Sequence, residues 1–149
     1  MYKKGFNIRV YGIWINESNQ ILLSDERIGD FEFTKFPGGG MEYGEGTIDC
    51  LKREWIEEMN TTIEVLNHFY TTDFYQPSAF HSDTQIISIY YFIKPITYPS
   101  IDFKFIPKDY NYVGHEEVHF RWKNLNELNE EDLDLPIDKI VTKLLKLKE

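Results

Sequence analysis

The chain has 149 residues, 42% of them apolar and 16% aromatic, with a formal net charge of -9. This suits one globular domain over residues 1–149 with a core of its own and excludes a disordered chain. The acidic balance makes long nucleic acid an unfavourable partner, because its phosphate backbone would be repelled. Its single cysteine, Cys50, rules out an intrachain disulfide framework and a multi-cysteine zinc site, and reads as a packing residue.

No apolar run reaches the ~20 residues of a membrane span, since Lys94 and Pro95 interrupt the best candidate. Met1-Tyr2-Lys3-Lys4 leads into no long apolar stretch of the secretory kind. The expectation is a cytoplasmic protein with no membrane partner.

Phe6 to Ile15 is β-branched and aromatic and ends at the turn cluster Asn16-Glu17-Ser18-Asn19; Gln20 to Ser24 reads as the returning strand of a hairpin. A polar loop is expected over Asp25 to Asp30. A second loop is expected at Phe36-Pro37-Gly38-Gly39-Gly40, because consecutive glycines weaken a strand or helix interior. From Thr47 to Met59 the period changes, and Ile48, Leu51, Trp55 and Met59 fall on one helical face. Thr47 reads as the N-cap and Asn60 as a left-handed C-cap.

Strands are expected again at Thr62 to Leu66, His68 to Phe74, Gln85 to Ile93 and Val118 to Trp122, with a long aromatic connection from Lys94 to Gly114. Ile137 to Lys148 is an amphipathic closing helix, with lysines suited to the negative end of its dipole. The pattern predicts an α+β fold, a mixed β-sheet between α-helices.

Glu54, Glu57 and Glu58 stand at i, i+3 and i+4 of the first helix, next to its apolar stripe. Like charges at that spacing repel unless a counter-charge is supplied, and a hard divalent cation is one way to supply it. A solvated acidic face is the other reading, and the helix alone does not choose.

The surroundings do choose. Gly39, Glu45, Arg53, Glu54, Glu57 and Glu58 keep the spacing G-x5-E-x7-R-E-U-x-E-E-x-G-U, where U is a large aliphatic residue, and Phe36-Pro37-Gly38 precedes them. In this the chain resembles the Nudix hydrolase (MutT-like) family. Three positions depart: Trp55 and Thr61 stand where the pattern has aliphatic residues, and Asn60 stands where it has glycine. Asparagine tolerates the left-handed backbone that glycine would supply.

The resemblance implies a hydrolase of phosphoric anhydrides that uses Mg²⁺, with Mn²⁺ as a substitute. It implies Glu54, Glu57 and Glu58 as metal ligands, with Glu54 alternatively the general base. Glu57 and Arg53 join the catalytic set, and Arg53 with Glu45 braces the loop. Gly38, Gly39 and Gly40 would let backbone approach the metal and phosphates.

Outside the motif, Glu117, with Glu116 beside it, is a candidate further base or ligand from a loop before the last strand. His115 and His119 are more ordinarily surface or packing residues. Pro77 resembles a proline of ADP-ribose hydrolases, and Tyr75 a tyrosine of dinucleoside-polyphosphate hydrolases.

The expected substrate is a small phosphorylated nucleotide, a nucleoside diphosphate linked to another group, with ADP-ribose or a similar sugar nucleotide first. A dinucleoside polyphosphate, a nucleoside triphosphate, or a non-catalytic nucleotide-sugar sensor are the alternatives. An aromatic from Phe74-Tyr75 or from the Lys94 to Gly114 connection is expected on the base. That connection could equally serve a homodimer.

Overall fold

A computed structural model describes residues 5–148. Residues 1–4, read above as no secretory leader, and residue 149 lie outside them. In chain order the elements are β1 (Gly5–Ile13), β2 (Gln20–Ile28), β3 (Phe31–Lys35), β4 (Gly38–Gly40), α1 (Thr47–Met59), β5 (Ile63–Thr71), β6 (Thr84–Pro95), β7 (Glu116–Asn124) and α2 (Pro136–Lys148). The fold is α+β. It divides into two compact units, one built from the chain up to Gly12 with Gly38–Pro99, the other from Ile13–Pro37 with Ser100 onward.

The first unit holds a four-stranded sheet in the order β4-β1-β6-β5. Strand β4 runs antiparallel to β1, with Arg9 opposite Gly40, Val10 opposite Gly39 and Tyr11 opposite Gly38. This corrects the expectation of a loop at the glycines. They form a short strand at the sheet edge, where close neighbours leave no room for a side chain on Gly38 or Gly39.

Strand β5 is continuous where the sequence suggested two strands. Register shifts between Val65 and His68 and between His68 and Tyr70 absorb the break in pattern. Its hairpin with β6 runs on beyond the strand ends through Thr72 N–H to Ser88 O, Ile86 N–H to Gln76 O and Ser78 N–H to Thr84 O.

Helix α1 buries Cys50, Leu51, Trp55 and Met59. Burying an apolar side chain of that size contributes roughly 1.5–3 kcal/mol. Ile48, expected on this face, is 44% exposed on the first turn, and Cys50 takes the buried place. Trp55 fits because β1 carries Gly12 beneath it: a Cβ there would lie 3.0 Å from the indole Nε1.

The N-cap is Gly46, not Thr47, and it makes no side-chain capping bond. The Thr47 hydroxyl pairs instead with the Tyr91 hydroxyl at 2.8 Å. Asn60 closes the helix as expected, left-handed at φ 50, its N–H bonded to Ile56 O.

The second unit holds the sheet β3-β2-β7, antiparallel throughout. Here β2 runs through Asp25–Ile28, turns at Gly29 (φ 60) and returns as β3, a strand the sequence reading did not find. Glu116 and Glu117 lie inside β7 and not in a loop before it. The chain that leads to β7 adds Lys104 along its edge, with Lys104 N–H bonded to Phe120 O and Trp122 N–H to Lys104 O. There Phe103 packs on Trp14 and Trp122, with ring centroids 6.1 and 5.2 Å away. Helix α2 buries Ile137, Val141 and Leu145, and Lys146 Nζ reaches the carbonyls of Leu125 and Asn126. Among the described residues no helix is long and apolar enough to cross a membrane.

Candidate functional site

Arg53 of helix α1 gathers four carboxylates, two from the helix and two from the segment before it. Its Nη2 donates to Glu45 Oε1 at 2.7 Å and its Nε to Glu45 Oε2 at 3.0 Å, a two-pronged clasp. Nη2 also donates to Gly40 O at 2.9 Å, which ties the helix to the strand. Nη1 reaches Glu54 Oε1 at 3.1 Å and Glu57 Oε2 at 3.2 Å, with Glu42 Oε1 at 3.7 Å. Four carboxylates thus share one guanidinium, a formal excess of three negative charges.

The Arg53 bonds to Glu45, with the Glu42 backbone, hold the Glu45 carboxyl down to about 2. The same clasp keeps the guanidinium firmly charged, its affinity for the proton raised first by Glu45 and then, against some loss by burial, by Glu54.

The glycines are required by what lies against them. A Cβ on Gly39 would sit 2.5 Å from Glu54 Cδ and 2.6 Å from both its oxygens, so the Glu54 carboxylate occupies the room that a side chain would take. Gly38 has φ +148, and a Cβ there would collide with the Val10 carbonyl oxygen of β1. The buried thiol of Cys50 points to Gly39 O at 3.9 Å, and burial pushes it up to about 12, so it stays protonated and is a poor nucleophile.

On the other face of β4, Arg9 and Asn7 stand beside Gly40, with Arg9 Nη1 3.5 Å and Asn7 Oδ1 3.7 Å from the place of its missing Cβ. Arg9 also donates from Nε to the Tyr11 hydroxyl. Neither residue was singled out from the sequence. The signal available was strand parity, which sets Asn7, Arg9 and Tyr11 on one face of β1 and Ile8 and Val10 on the other.

Of the sequence candidates, the first unit brings together Gly38, Gly39, Gly40, Arg53, Glu54 and Glu57, together with Glu45. Glu58 is half-buried on the same helix. Among the described residues no three acidic, histidine or cysteine groups already surround a metal position. The carboxylates turn to Arg53. The donors are nevertheless all oxygen, and Glu57 is long and 56% exposed, free in its rotamers to turn. Such a set fits a hard cation that keeps part of its water.

Glu117 belongs to the second unit, and its oxygens are engaged. They accept from Arg27 Nη2 at 2.9 Å, Asn111 N–H at 2.8 Å, Tyr112 N–H at 2.7 Å and His119 Nε2 at 3.2 Å. Burial alone would raise its carboxyl. The bonds from Arg27, Asn111, His119 and Tyr112 outweigh that and bring it to about 2.

A carboxyl lowered from 4.5 to about 2 adds stability that is complete above pH 4.5 and lost as pH falls through 2. Glu117→Gln is therefore expected to flatten the acid limb of the stability curve between those values. Urea midpoints measured across that window check it, and an unchanged slope would mean that folding does not hold the Glu117 carboxyl down. His119 is thus part of this network, and the His115 ring lies against Gly29, 3.1 Å from where a Cβ would be.

The NUDIX domain family model matches residues 5–144. No curated protein is matched by the sequence. Among solved structures the chain is similar to a NUDIX hydrolase from Nitrosomonas europaea, at 16% identity and TM-score 0.67 over 95% of this chain and 89% of that one. It is similar to a MutT protein from Methanosarcina mazei Go1, at 17% identity and TM-score 0.63 over 99% and 98%. It is also similar to a UDP-X diphosphatase, at 14% identity and TM-score 0.62 over 99% of this chain and 66% of that one. These likenesses are of fold. The family match over nearly the whole described chain carries more: the chain belongs to the Nudix family of hydrolases, which split phosphoric anhydrides.

Proposed function

We propose that this chain, acting as one domain, hydrolyses the pyrophosphate link of a nucleoside diphosphate joined to a second group, with ADP-ribose or a similar sugar nucleotide the first candidate. The observation that carries this is the acid-rich cradle, in which Glu42, Glu45, Glu54 and Glu57 crowd one arginine against the glycine strand. A surplus of carboxylates beside bare backbone is suited to a cation-bridged diphosphate and unsuited to a diphosphate alone. The likeness to a UDP-X diphosphatase agrees with a nucleoside diphosphate derivative.

Glu54, Glu57 and Glu58 would hold Mg²⁺, or Mn²⁺ in its place. When bound, the ion supplies neutralisation of the diphosphate oxygens and acidifies a water. The chain's own residues do the rest. Arg53 fixes the carboxylates and the Gly40 carbonyl in one frame. Gly39 leaves room on β4 for the Glu54 carboxylate to lie against the backbone, and Gly38 lets β4 approach β1 closely.

In the alternative to ligation, Glu54, held against Gly39, would accept the proton of the attacking water. The water oxygen bonds to phosphorus as the bridging P–O bond breaks, and the bridging oxygen leaves with the other phosphate. Two phosphomonoesters result. Glu117 is better placed as a clamp on the 111–114 segment, since a role as base would first require those bonds to be released. A chain with one cysteine and no disulfide suits the cytoplasm.

Hydrolysis of ADP-ribose, a UDP-sugar, a dinucleoside tetraphosphate and a capped RNA, compared side by side with Mg²⁺, tests the proposal. Turnover of at least one small diphosphate to two monophosphates is expected, with dependence on the metal and little on added salt. Cleavage of the RNA alone would overturn it.

A further inference from the structure

We infer that a cavity beside the start of β1, in the first unit, seats the nucleobase of the substrate. The inference rests on the reaction proposed above and gives that site a second, separate end. The cavity has a volume of about 400 Å³ and is lined by Gly5 and Phe6 of β1 and by Tyr75, His81, Asp83 and Gln85 of the β5–β6 hairpin and its tip.

It is built by backbone pairing rather than by loose loop. Gly5 N–H donates to Asp83 O at 2.9 Å, Pro77 pairs with Gln85, and Ser78 Oγ accepts the N–H groups of Phe80 and His81 at 3.1 Å each. Asp83 closes the tip in the left-handed region, φ 59, which aspartate tolerates better than most residues.

Its chemistry selects the occupant. Phe6 and Tyr75 are each 70% exposed, which leaves two aromatic side chains at the cavity wall open to a planar group. Among the described residues no lysine or arginine lines the cavity, while Asp83 does, so a phosphate would meet a like charge there. The occupant is therefore not a phosphate. A carboxylate and an amide, Asp83 and Gln85, offer acceptors and a donor to the amino, carbonyl and ring-nitrogen edges of a base.

Position agrees. The glycine strand meets β1 at the Arg9–Gly40 rung, and at ~3.3 Å per residue Gly5 lies about 13 Å further along the strand. A diphosphate alone does not span that distance; a nucleoside attached to it does. This separates the sequence alternatives for the base partner in favour of Tyr75.

The test uses the full chain, labelled with nitrogen-15, and the four common nucleosides as probes, with free ribose and inorganic phosphate as controls. At least one nucleoside is expected to shift the amides of Phe6, Tyr75 and Asp83 to Gln85, and neither control to do so. Gly5→Leu blocks the cavity while keeping the fold, because a Cβ at Gly5 would meet no atom of the described residues within 4 Å. It should abolish those shifts and raise KM for the best nucleoside diphosphate derivative about ten- to hundredfold, the loss of a stacked base, while kcat changes much less.

Tyr75→Ala should give a smaller KM rise of the same kind. Nucleoside shifts confined to other residues, shifts produced by ribose or phosphate alone, or an unchanged KM in Gly5→Leu would each overturn the assignment. The two readings fail separately. Glu57→Gln that still turns over substrate, with nucleoside shifts intact, removes the proposed chemistry and leaves the cavity. Glu57→Gln without turnover, and no nucleoside shifts at Phe6 and Tyr75, removes the cavity and leaves the chemistry.

Discussion

Glu57→Gln is expected to lower kcat by about a thousandfold at saturating Mg²⁺, equivalent to ~4 kcal/mol of transition-state stabilisation, with the fold unchanged. The amide keeps the size of the side chain and one oxygen but loses the charge that a hard cation requires. The fold should not notice. The Glu57 side chain is 56% exposed and its one described ion pair, to Arg53, is an i,i+4 surface contact. Such pairs are worth about 0.3–0.5 kcal/mol.

Glu58→Gln should behave alike. Glu42→Gln is the control that separates ligation from mere negative charge. Glu42 also faces Arg53, at 3.7 Å, and is more exposed still, yet it is not placed among the ligands. Its rate should stay within about threefold of the parent, a difference of well under 1 kcal/mol. Circular dichroism on all three proteins checks the fold, and a Mg²⁺ titration checks that saturation was reached. Turnover in Glu57→Gln within tenfold of the parent would remove it from the metal set, and an equal loss in Glu42→Gln would show that total charge governs the rate.

What the sequence could disclose follows from how local each signal is. Helix α1 was readable in its extent and in the left-handed Asn60, because its periodicity and its stop are written within a few turns, but its cap is Gly46 and Cys50 takes the buried place expected of Ile48. The acid cradle was readable for the same reason: Glu54 and Glu57 sit on a helix with Arg53, and Glu45 lies a few residues before it.

The second half of β2 was not. Asp25, Glu26 and Arg27 look like loop, yet they lie in a strand because each has a partner: Arg121 for Asp25, Lys35 for Glu26 and Glu117 for Arg27. Two of those partners are 90 or more residues away in sequence, and no window along the chain sees them. The glycine strand was missed because glycine propensity argues against a strand, while the reason for it, Glu54 pressed on Gly39 and the β1 backbone on Gly38, exists only once β1 and α1 are in place. The cavity needs the start of β1 and the tip of a hairpin some seventy residues later, so sequence offered Tyr75 as one aromatic among many.

Arg121→Met is expected to destabilise the protein by about 3–5 kcal/mol, the cost of leaving a buried charge without its partner. Arg121 and Asp25 are 2% and 0% exposed at the side chain, and they meet in a two-pronged pair, Nε to Oδ2 at 2.7 Å and Nη2 to Oδ1 at 3.1 Å. Asp25 further accepts from Thr34 Oγ1 at 2.6 Å and from Lys108 N–H at 3.0 Å. One carboxylate therefore joins β2, β3, β7 and the segment that leads to β7.

Methionine replaces the bulk of arginine but none of its donors, and Thr34 and Lys108 then face a carboxylate whose charge nothing offsets. For a chain of this length each kcal/mol moves the melting temperature by roughly 2–4 °C, so a fall of about 10 °C or more is the expected reading. The double change Asp25→Leu with Arg121→Met separates burial of charge from loss of packing. It removes the stranded carboxylate and fills the space with apolar atoms, and it should recover most of the loss, as a buried pair replaced whole commonly costs little. A thermodynamic cycle over the two single variants and the double gives the coupling directly. A loss below about 1 kcal/mol in Arg121→Met would show that water reaches Asp25, and the pair would then count as a surface contact whatever its geometry.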